Sequence, residues 1–424
     1  MSIKKVHEIV VLGGNLAGLG ATQFFLRHTI PSLQRLNKSN AIHITLVTPN
    51  THMFFKPASP RALIQPSLLP ESKLWRPLSE ALQQYPADQV THLQAVATSL
   101  DPAKRTVTIA PKSSGGIASA EKTIVYDSLL IATGTTSRSP LWTLHDDQDL
   151  TLQAWKSLRT ALKDAKTILI AGGGPVGVEV AGEIASAFPS AEITIISGGP
   201  QLLQRVKPET GARAQHYLES HFHSIKVLHG ISITGSPTAG ADPNTTTIRL
   251  SDGTSRTVDL FIDATGGMPN SQFIPDDWLD PTKRVVRSDV YYRVRGNGTD
   301  DVTGVYAVGD VVSESANSLM ELHAMVPTIC TAIGADIAAK LGLGVPKPAG
   351  FLQSLSDALF GGDVLHPKEY KPMKDTIMVP MGPAGGVGQL FGWKTPSWFV
   401  KWVKGNAFLT EMIDPIMSGT RFNP

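Results

Sequence analysis

The segment Thr167-Ile-Leu-Ile-Ala-Gly172-Gly-Gly174-Pro-Val-Gly177-Val-Glu179-Val-Ala-Gly-Glu183 leaves a chain few ways to fold. Its apolar start reads as a buried strand, and Gly172, Gly174 and Gly177 fall at the G-x-G-x-x-G spacing. The first glycine of such a loop permits a sharp turn, the second lets the backbone approach a pyrophosphate, and the third lets helix and strand pack closely. The helix that follows points unpaired N–H groups and the positive end of its dipole at the phosphate. A second copy stands earlier, Glu8-Ile-Val-Val-Leu12-Gly13-Gly14-Asn15-Leu-Ala17-Gly18, in the same strand-to-helix setting. Two dinucleotides are implied.

The duplication runs past the loops. Each is followed by a second strand, Ile42 to Val47 and Glu192 to Ile196, ending at Thr48 and Ser197 where an acid would usually hold the ribose hydroxyls. Without that acid, NADPH stays open beside NADH, with Arg205 and Lys207 as candidates to meet a 2′-phosphate. Each half then closes on an apolar strand running into Ala-Thr-Gly, at Ala132-Thr133-Gly134 and at Ala264-Thr265-Gly266. The departures from the pattern are Asn15 in place of the middle glycine, and Thr48 and Ser197 in place of the acids.

Phe54-Phe-Lys56-Pro57-Ala-Ser-Pro60-Arg61 follows the second strand, at the carboxyl edge of the sheet where ligands sit, so Lys56 and Arg61 are candidates to face a flavin. The later strand Gly304 to Gly309 ends in Asp310, placed to accept hydrogen bonds from ribityl hydroxyls, and a helix from about Met320 is expected to begin beneath that flavin. Short antiparallel strands are expected over residues 90 to 126, with Ser113 to Ala120 as a turn, and an irregular crossover over Pro140 to Leu152. His52 and His323 are possible proton donors, and no residue is assigned as a metal ligand.

A charged fraction of 17%, against roughly 25% in ordinary chains, fits sheets buried on both faces. A net charge of +2 is too small to argue for nucleic acid. One cysteine, Cys330, excludes an intrachain disulfide and any Cys-x-x-Cys redox pair. The first strand starts within a few residues of Met1 and no run of about 18 apolar residues is evident, so a cytoplasmic protein is expected. Near the C-terminus, a hairpin of Thr376 to Pro380 with Gly388 to Gly392 precedes Trp393 to Lys404, a short basic helix rich in Trp. Such a helix suits a membrane interface, a dimer contact or packing on the hairpin.

Taken in order, these features resemble the flavoproteins with two dinucleotide-binding domains over nearly the whole chain. Within them the chain is similar to the fungal AMID-like branch, relatives of apoptosis-inducing factor and the ferroptosis-suppressor quinone reductases. Phe55 to Leu63, Ala171 to Glu179, Asp263 to Gly266 and Phe391 to Trp398 carry the resemblance. It implies an α/β fold of two Rossmann-like domains in the glutathione reductase arrangement with a small C-terminal α+β region. The expected divisions are an FAD-binding domain over 1–150 and 270–343, an NAD(P)-binding domain over 151–269, and an interface region over 344–424.

The resemblance further implies hydride transfer from NADH or NADPH to FAD and on to a small acceptor, with a quinone favoured. It places a basic side chain near flavin N5, paired with the glutamate after the third glycine of the second loop, which matches Arg61 and Glu179, with Lys56 beside them. The cofactor contacts are then Gly13, Gly14, Asn15, Ala17, Gly18, Thr48, Lys56, Pro57, Ala132, Thr133, Gly134, Gly309 and Asp310 for FAD. Those for the nicotinamide dinucleotide are Gly172, Gly174, Pro175, Val176, Gly177, Ser197 and Gly266. A monomer or homodimer is expected, cytoplasmic or held peripherally on a membrane or lipid droplet. The rival readings are a biosynthetic flavoenzyme acting on a secondary metabolite and a non-catalytic flavoprotein that binds DNA or a protein.

Overall fold

Both glycine loops owe their shape to close backbone approach. Gly13 and Gly172 have φ of +106° and +121°, and a Cβ on either would lie 2.3 Å from Ala132 O or 2.2 Å from Ala264 O. Side chains rarely adopt such φ, and there is no room for one here. Gly18 and Gly177 serve packing, since a Cβ on them would fall 1.8 Å from Gly13 O and 2.0 Å from Gly172 O. The middle positions differ. Gly174 is extended at φ −78° and Asn15 at −89°, so a side chain stands at Asn15 without strain.

In this computed structural model residues 6–38, 41–112, 120–145, 148–242, 244–287, 289–296, 300–313, 315–345 and 364–424 are described, so the turn expected at Ser113 to Ala120 lies outside them except for its last residue. The strand before the first loop, Val6–Leu12, is flanked in parallel by Ala41–Thr48 and Ser128–Ile131, with Leu12 opposite both Val47 and Ile131. The strand before the second loop, Thr167–Ala171, is flanked in the same way by Glu192–Ser197 and Leu260–Asp263, with Ala171 opposite Ile196 and Asp263. Ile9, Val10 and Val11, and Leu169, Ile170 and Ala171, are 0% exposed. That is why these strands read as unbroken apolar runs.

The N-terminal sheet has eight strands. Asp300–Ala307 joins it in parallel beside Ser128–Ile131, and Val90–Asp101 joins beside Ala41–Thr48. Thr106–Pro111 and Lys122–Val125 then continue antiparallel. The middle sheet has four parallel strands, ending at Ile225–His229. Chain segments that leave the two Ala-Thr-Gly turns pair with each other, Thr135–Ser137 antiparallel to Gly267–Pro269. Asn270 ties this crossing to the first turn, since it donates from Nδ2 to Thr133 O at 2.8 Å and accepts at its own carbonyl from Thr133 Oγ1 at 2.7 Å. The stretch expected to be an irregular crossover from Pro140 is instead anchored by buried Trp142, whose Nε1 donates to Asp263 O at 2.6 Å, and enters the helix Gln148–Leu162.

The helix Leu319–Lys340 contains no unbroken apolar run of the length sought in the sequence, since Glu321, His323 and Asp336 interrupt it, yet its mean hydropathy is high. Among the described residues it alone is long and apolar enough to cross a membrane, and 67% of its apolar window is buried in the protein. Its buried residues include Cys330, Ile333 and Ile337, and Cys330 Sγ lies 3.9 Å from Ala21 O on the first loop's helix. The C-terminal part is a three-stranded antiparallel sheet of Ile377–Pro380, Gly386–Leu390 and Trp393–Thr395. Trp393 is therefore in a strand, and the helix begins only at Ser397, after Pro396. This unit sits on the second loop's helix at Gly182, where a Cβ would come within 2.6 Å of the Met381 backbone.

These geometries separate two glycines of one loop. Gly172→Ala is expected to lower stability by about 1–3 kcal/mol through strain and overlap, whereas Gly174→Ala, with nothing within 4 Å of its added Cβ, stays within roughly 0.5 kcal/mol. Chemical denaturation of the flavin-free protein measures both, and equal effects would contradict this account.

Candidate functional site

The two loops open on one cavity of about 1530 Å³. A site for one small molecule commonly measures roughly 300–1,000 Å³, so this volume suits two large ligands meeting end to end. Gly13, Gly14, Asn15, Ala17, Thr48, Lys56, Pro57, Ala132, Thr133, Gly134, Gly309 and Asp310 line one part. Gly172, Gly174, Pro175, Val176, Glu179 and Gly266 line another. Four of the expected cofactor-contact and catalytic residues lie elsewhere. Gly18 and Gly177 are consumed in packing, and Ser197 is 0% exposed with its hydroxyl donating to Gln201 O at 3.0 Å. Arg61 is the fourth.

The lining fits dinucleotides. The middle of the second loop is open space at Gly174, and Asn15 in the first turns its side chain aside, where Oδ1 accepts from Phe54 N at 3.2 Å. The side chain that replaces the middle glycine is thereby tied to the Phe54 backbone. Lys56 and Asp310 meet at 2.5 Å across the sheet edge, half-shielded from water. Arg205, exposed in the cavity lining, donates from Nη1 to Ser315 O at 3.1 Å, and Lys207, outside the lining, donates to Gly392 O at 3.3 Å. His52 is bonded to Thr51 at 2.9 Å, and neither it nor His323 lines the cavity.

The charged centre departs from the expected pairing of Arg61 with Glu179. Glu179 and Glu183 stand one turn apart on the helix Pro175–Ala187, 3% and 0% exposed. Two carboxylates buried so closely require a cation each. Arg61, 3% exposed, serves Glu183 with two hydrogen bonds, Nε at 2.5 Å and Nη2 at 2.8 Å. The cation against Glu179 is Lys404, at 2.5 Å, which also donates to Met378 O at 3.3 Å. Lys404 and Glu179 both line the cavity and Arg61 does not.

Local backbone explains how Lys404 gets there. The helix Ser397–Val400 widens into a π-turn over Lys401–Gly405, a distortion that often marks functional sites. Arg61 Nη1 donates to Gly405 O at 2.9 Å, and its guanidinium lies 4.6 Å from the ring of buried Phe408. Phe408 and Leu409 both hold positive φ, 50° and 63°, which non-glycine residues seldom adopt outside strained sites. Arg61 thus braces the segment that delivers Lys404. Sequence reasoning missed Lys404 because it lay in a helix read for its aromatics. The available signal was the i, i+4 pair of acids on an otherwise apolar helix, which calls for a second base.

Two mononucleotide-binding modules facing one cavity define a class, the oxidoreductases that hold two dinucleotides head to head. The family model for pyridine nucleotide-disulphide oxidoreductases matches residues 7–328, and the chain belongs to that family. FAD and NAD(P)H are its two dinucleotides. Oxidoreductase phnG of Penicillium herquei is 29% identical over 97% of this chain and 96% of its own. Ferroptosis suppressor protein 1 of Xenopus tropicalis is a more distant relative, 23% identical over 66% of this chain and 68% of its own. Among solved structures, the sulfide:quinone oxidoreductase of Aquifex aeolicus has the same fold, with a TM-score of 0.64 at 15% identity over 98% of this chain and 92% of that one.

Burial raises the Glu179 carboxyl above its ordinary value of 4.5, while the Lys404 ammonium draws it back down. A carboxyl raised on folding contributes stability below its unfolded value and loses it as pH rises through the folded one. Lys404→Met removes the lowering influence, so its loss of stability should grow from about pH 4.5 towards neutrality, to about 3–5 kcal/mol for an uncompensated buried charge. Adding Glu179→Gln should flatten that extra slope. Denaturation of the single and double variants across pH checks it, and parallel profiles would refute the pairing.

Proposed function

We propose that this protein is an NAD(P)H oxidoreductase that passes two electrons through FAD to a quinone-like small molecule. The observation that carries the reading is a single continuous cavity shared by both glycine loops, with Glu179 and Lys404 in its wall. When bound, NAD(P)H supplies hydride, and FAD accepts it and delivers the electrons onward. The chain supplies binding, orientation and charge. The loop backbones at Gly13 and Gly172 cradle the pyrophosphates, and the helices after them add their N-terminal dipoles. Lys404 sets a positive charge in a poorly hydrated wall, where it would favour negative charge developing on a bound ligand. Glu179 holds that ammonium in place.

The acceptor reading rests on what the chain lacks and what the lining offers. Cys330 is the chain's one cysteine and is fully buried, so electrons have no protein disulfide to visit. Phe54, Leu390, Val403 and Leu409 give the cavity apolar wall suited to a flat conjugated molecule. The sulfide:quinone oxidoreductase of like fold, as its name states, uses a quinone, which supports the same acceptor class by analogy. Rapid mixing of the flavin-loaded protein with NADH or NADPH should bleach the ~450 nm band, and quinones should restore it faster than oxygen does. Glu179→Gln should slow bleaching roughly tenfold or more. A colourless protein, or reoxidation indifferent to quinones, would remove the proposal.

Peripheral membrane contact forms part of this reading. Phe391, Trp393, Trp398 and Trp402 are 68%, 79%, 67% and 68% exposed on the C-terminal unit, with Lys394 and Lys401 exposed between them. Exposed Trp beside Lys is the composition of an interfacial surface. Co-sedimentation with anionic phospholipid vesicles is expected, and Trp398→Ser with Trp402→Ser should abolish it. Binding unchanged in that variant would place the contact elsewhere.

A further inference from the structure

Thr48 ends the second strand where a ribose-binding acid usually stands, and it is in no position to replace that acid. It is 2% exposed, and its methyl group fills the space over the first loop, so that a Cβ on Gly14 would lie 2.7 Å from Thr48 Cγ2. Two residues further on, Asn50 lines the cavity, and its Oδ1 is buried with no hydrogen-bond partner among the described residues. Leaving a buried amide oxygen without a donor is costly, and such groups in folded proteins almost always have a partner. The turn that carries it is fixed independently. Gln94 Nε2 donates to Pro49 O at 3.2 Å, and Asn50 N approaches Thr48 Oγ1 at 3.5 Å. The orphan is therefore held at the wall of the cavity by contacts that do not use it.

We infer that Asn50 Oδ1 accepts a hydrogen bond from the adenosine ribose of the dinucleotide held by the first loop, in place of the missing acid. This rests on the reading of that dinucleotide as FAD. Position accounts for the choice of group, since the ribose follows the pyrophosphate outward from the loop toward the end of the second strand. The neutral amide also avoids adding a carboxylate close to a pyrophosphate. The second module has no counterpart. Counting from Ser197 as from Thr48, the residue matching Asn50 is Gly199, which offers no side chain. One loop thus grips its ribose and the other does not, as suits a resident flavin beside an exchanging nicotinamide.

The test is titration of the flavin-free full-length chain with FAD and with FAD whose adenosine is 2′,3′-dideoxy, for the wild type, Asn50→Ala and Asn50→Asp. Wild type should bind FAD about tenfold more tightly than the analogue, as one lost hydrogen bond to a buried acceptor implies. Asn50→Ala should lose about tenfold for FAD and no longer tell the two ligands apart, while Asn50→Asp keeps the distinction. Thermal melting of the flavin-free proteins gives the second readout. Asn50→Ala should melt no lower than wild type, because the oxygen it removes has no partner until ligand binds. Unaltered FAD affinity in Asn50→Ala, full discrimination retained by it, or a lower melting point without flavin would each overturn the assignment. A wild type that takes up no FAD would fail for a different reason, by removing the flavin reading and the assignment with it.

Discussion

Four charged side chains meet below the surface where three stretches of chain converge, and the arrangement of the site depends on how they pair. Glu179 and Glu183 come from the middle of the chain, Arg61 from the N-terminal part, and Lys404 from the C-terminal unit. Two carboxylates buried this closely repel each other unless cations offset them, so burial of the helix after the second glycine loop depends on the other two parts being docked on it. Hydrophobic contact holds those parts together and the charges fix their register. Arg61 does both tasks, because the same guanidinium that neutralises Glu183 also binds Gly405 O. A site lysine is thereby placed by a residue that never reaches the cavity.

The pairing also separates support from chemistry. Arg61 is enclosed, bonded on three sides and stacked near Phe408, which suits a residue that must not move. Lys404 keeps 15% of its side chain accessible and faces the ligand space. Guanidinium forks lock geometry through several bonds, whereas an ammonium on a flexible stem adjusts to a partner whose charge changes. An exchange of the two would put the rigid group where adaptation is needed. The strained backbone at Phe408 and Leu409 closes the same segment and is tolerated because Arg61 and the C-terminal sheet determine its path.

Much of the fold was legible because its signals are local. Apolar runs ending in glycine at Leu12-Gly13 and Ala171-Gly172, repeated with Ala-Thr-Gly closures, specify strand, turn and crossover without distant help. The C-terminal part was read with less success. Trp393 to Lys404 reads as one basic, Trp-rich helix suited to a membrane interface, a dimer contact or packing on the hairpin. In the structure the indoles of Trp398 and Trp402 face outward while Lys404 turns in to Glu179, a partner so distant in sequence that periodicity does not reveal it. The pairing of Arg61 failed for a related reason: it is set by a contact between residues 61 and 183, more than a hundred positions apart, and resemblance supplied a partner one helical turn away from the right one. The long helix Leu319–Lys340 was legible from about Met320, and its apolar stretch is core, with 67% of its most apolar window buried in the protein.

The two modules share a backbone plan and differ in how completely they enclose a ligand. Close glycine contacts at Gly13 and Gly172 are nearly superimposable in kind, so pyrophosphate binding alone gives no reason for one dinucleotide to stay and the other to leave. The difference must come from the periphery of each site. Around the first loop the structure places the half-shielded Lys56–Asp310 pair and the start of the helix Leu319–Lys340, drawn from segments remote in sequence. Around the second, Gly198 and Gly199 leave the strand end without side chains, Arg205 in the lining donates to Ser315 O, and Lys207 outside it donates to Gly392 O. The duplicated unit thus varies at its rim while the glycine cradle is left as it was.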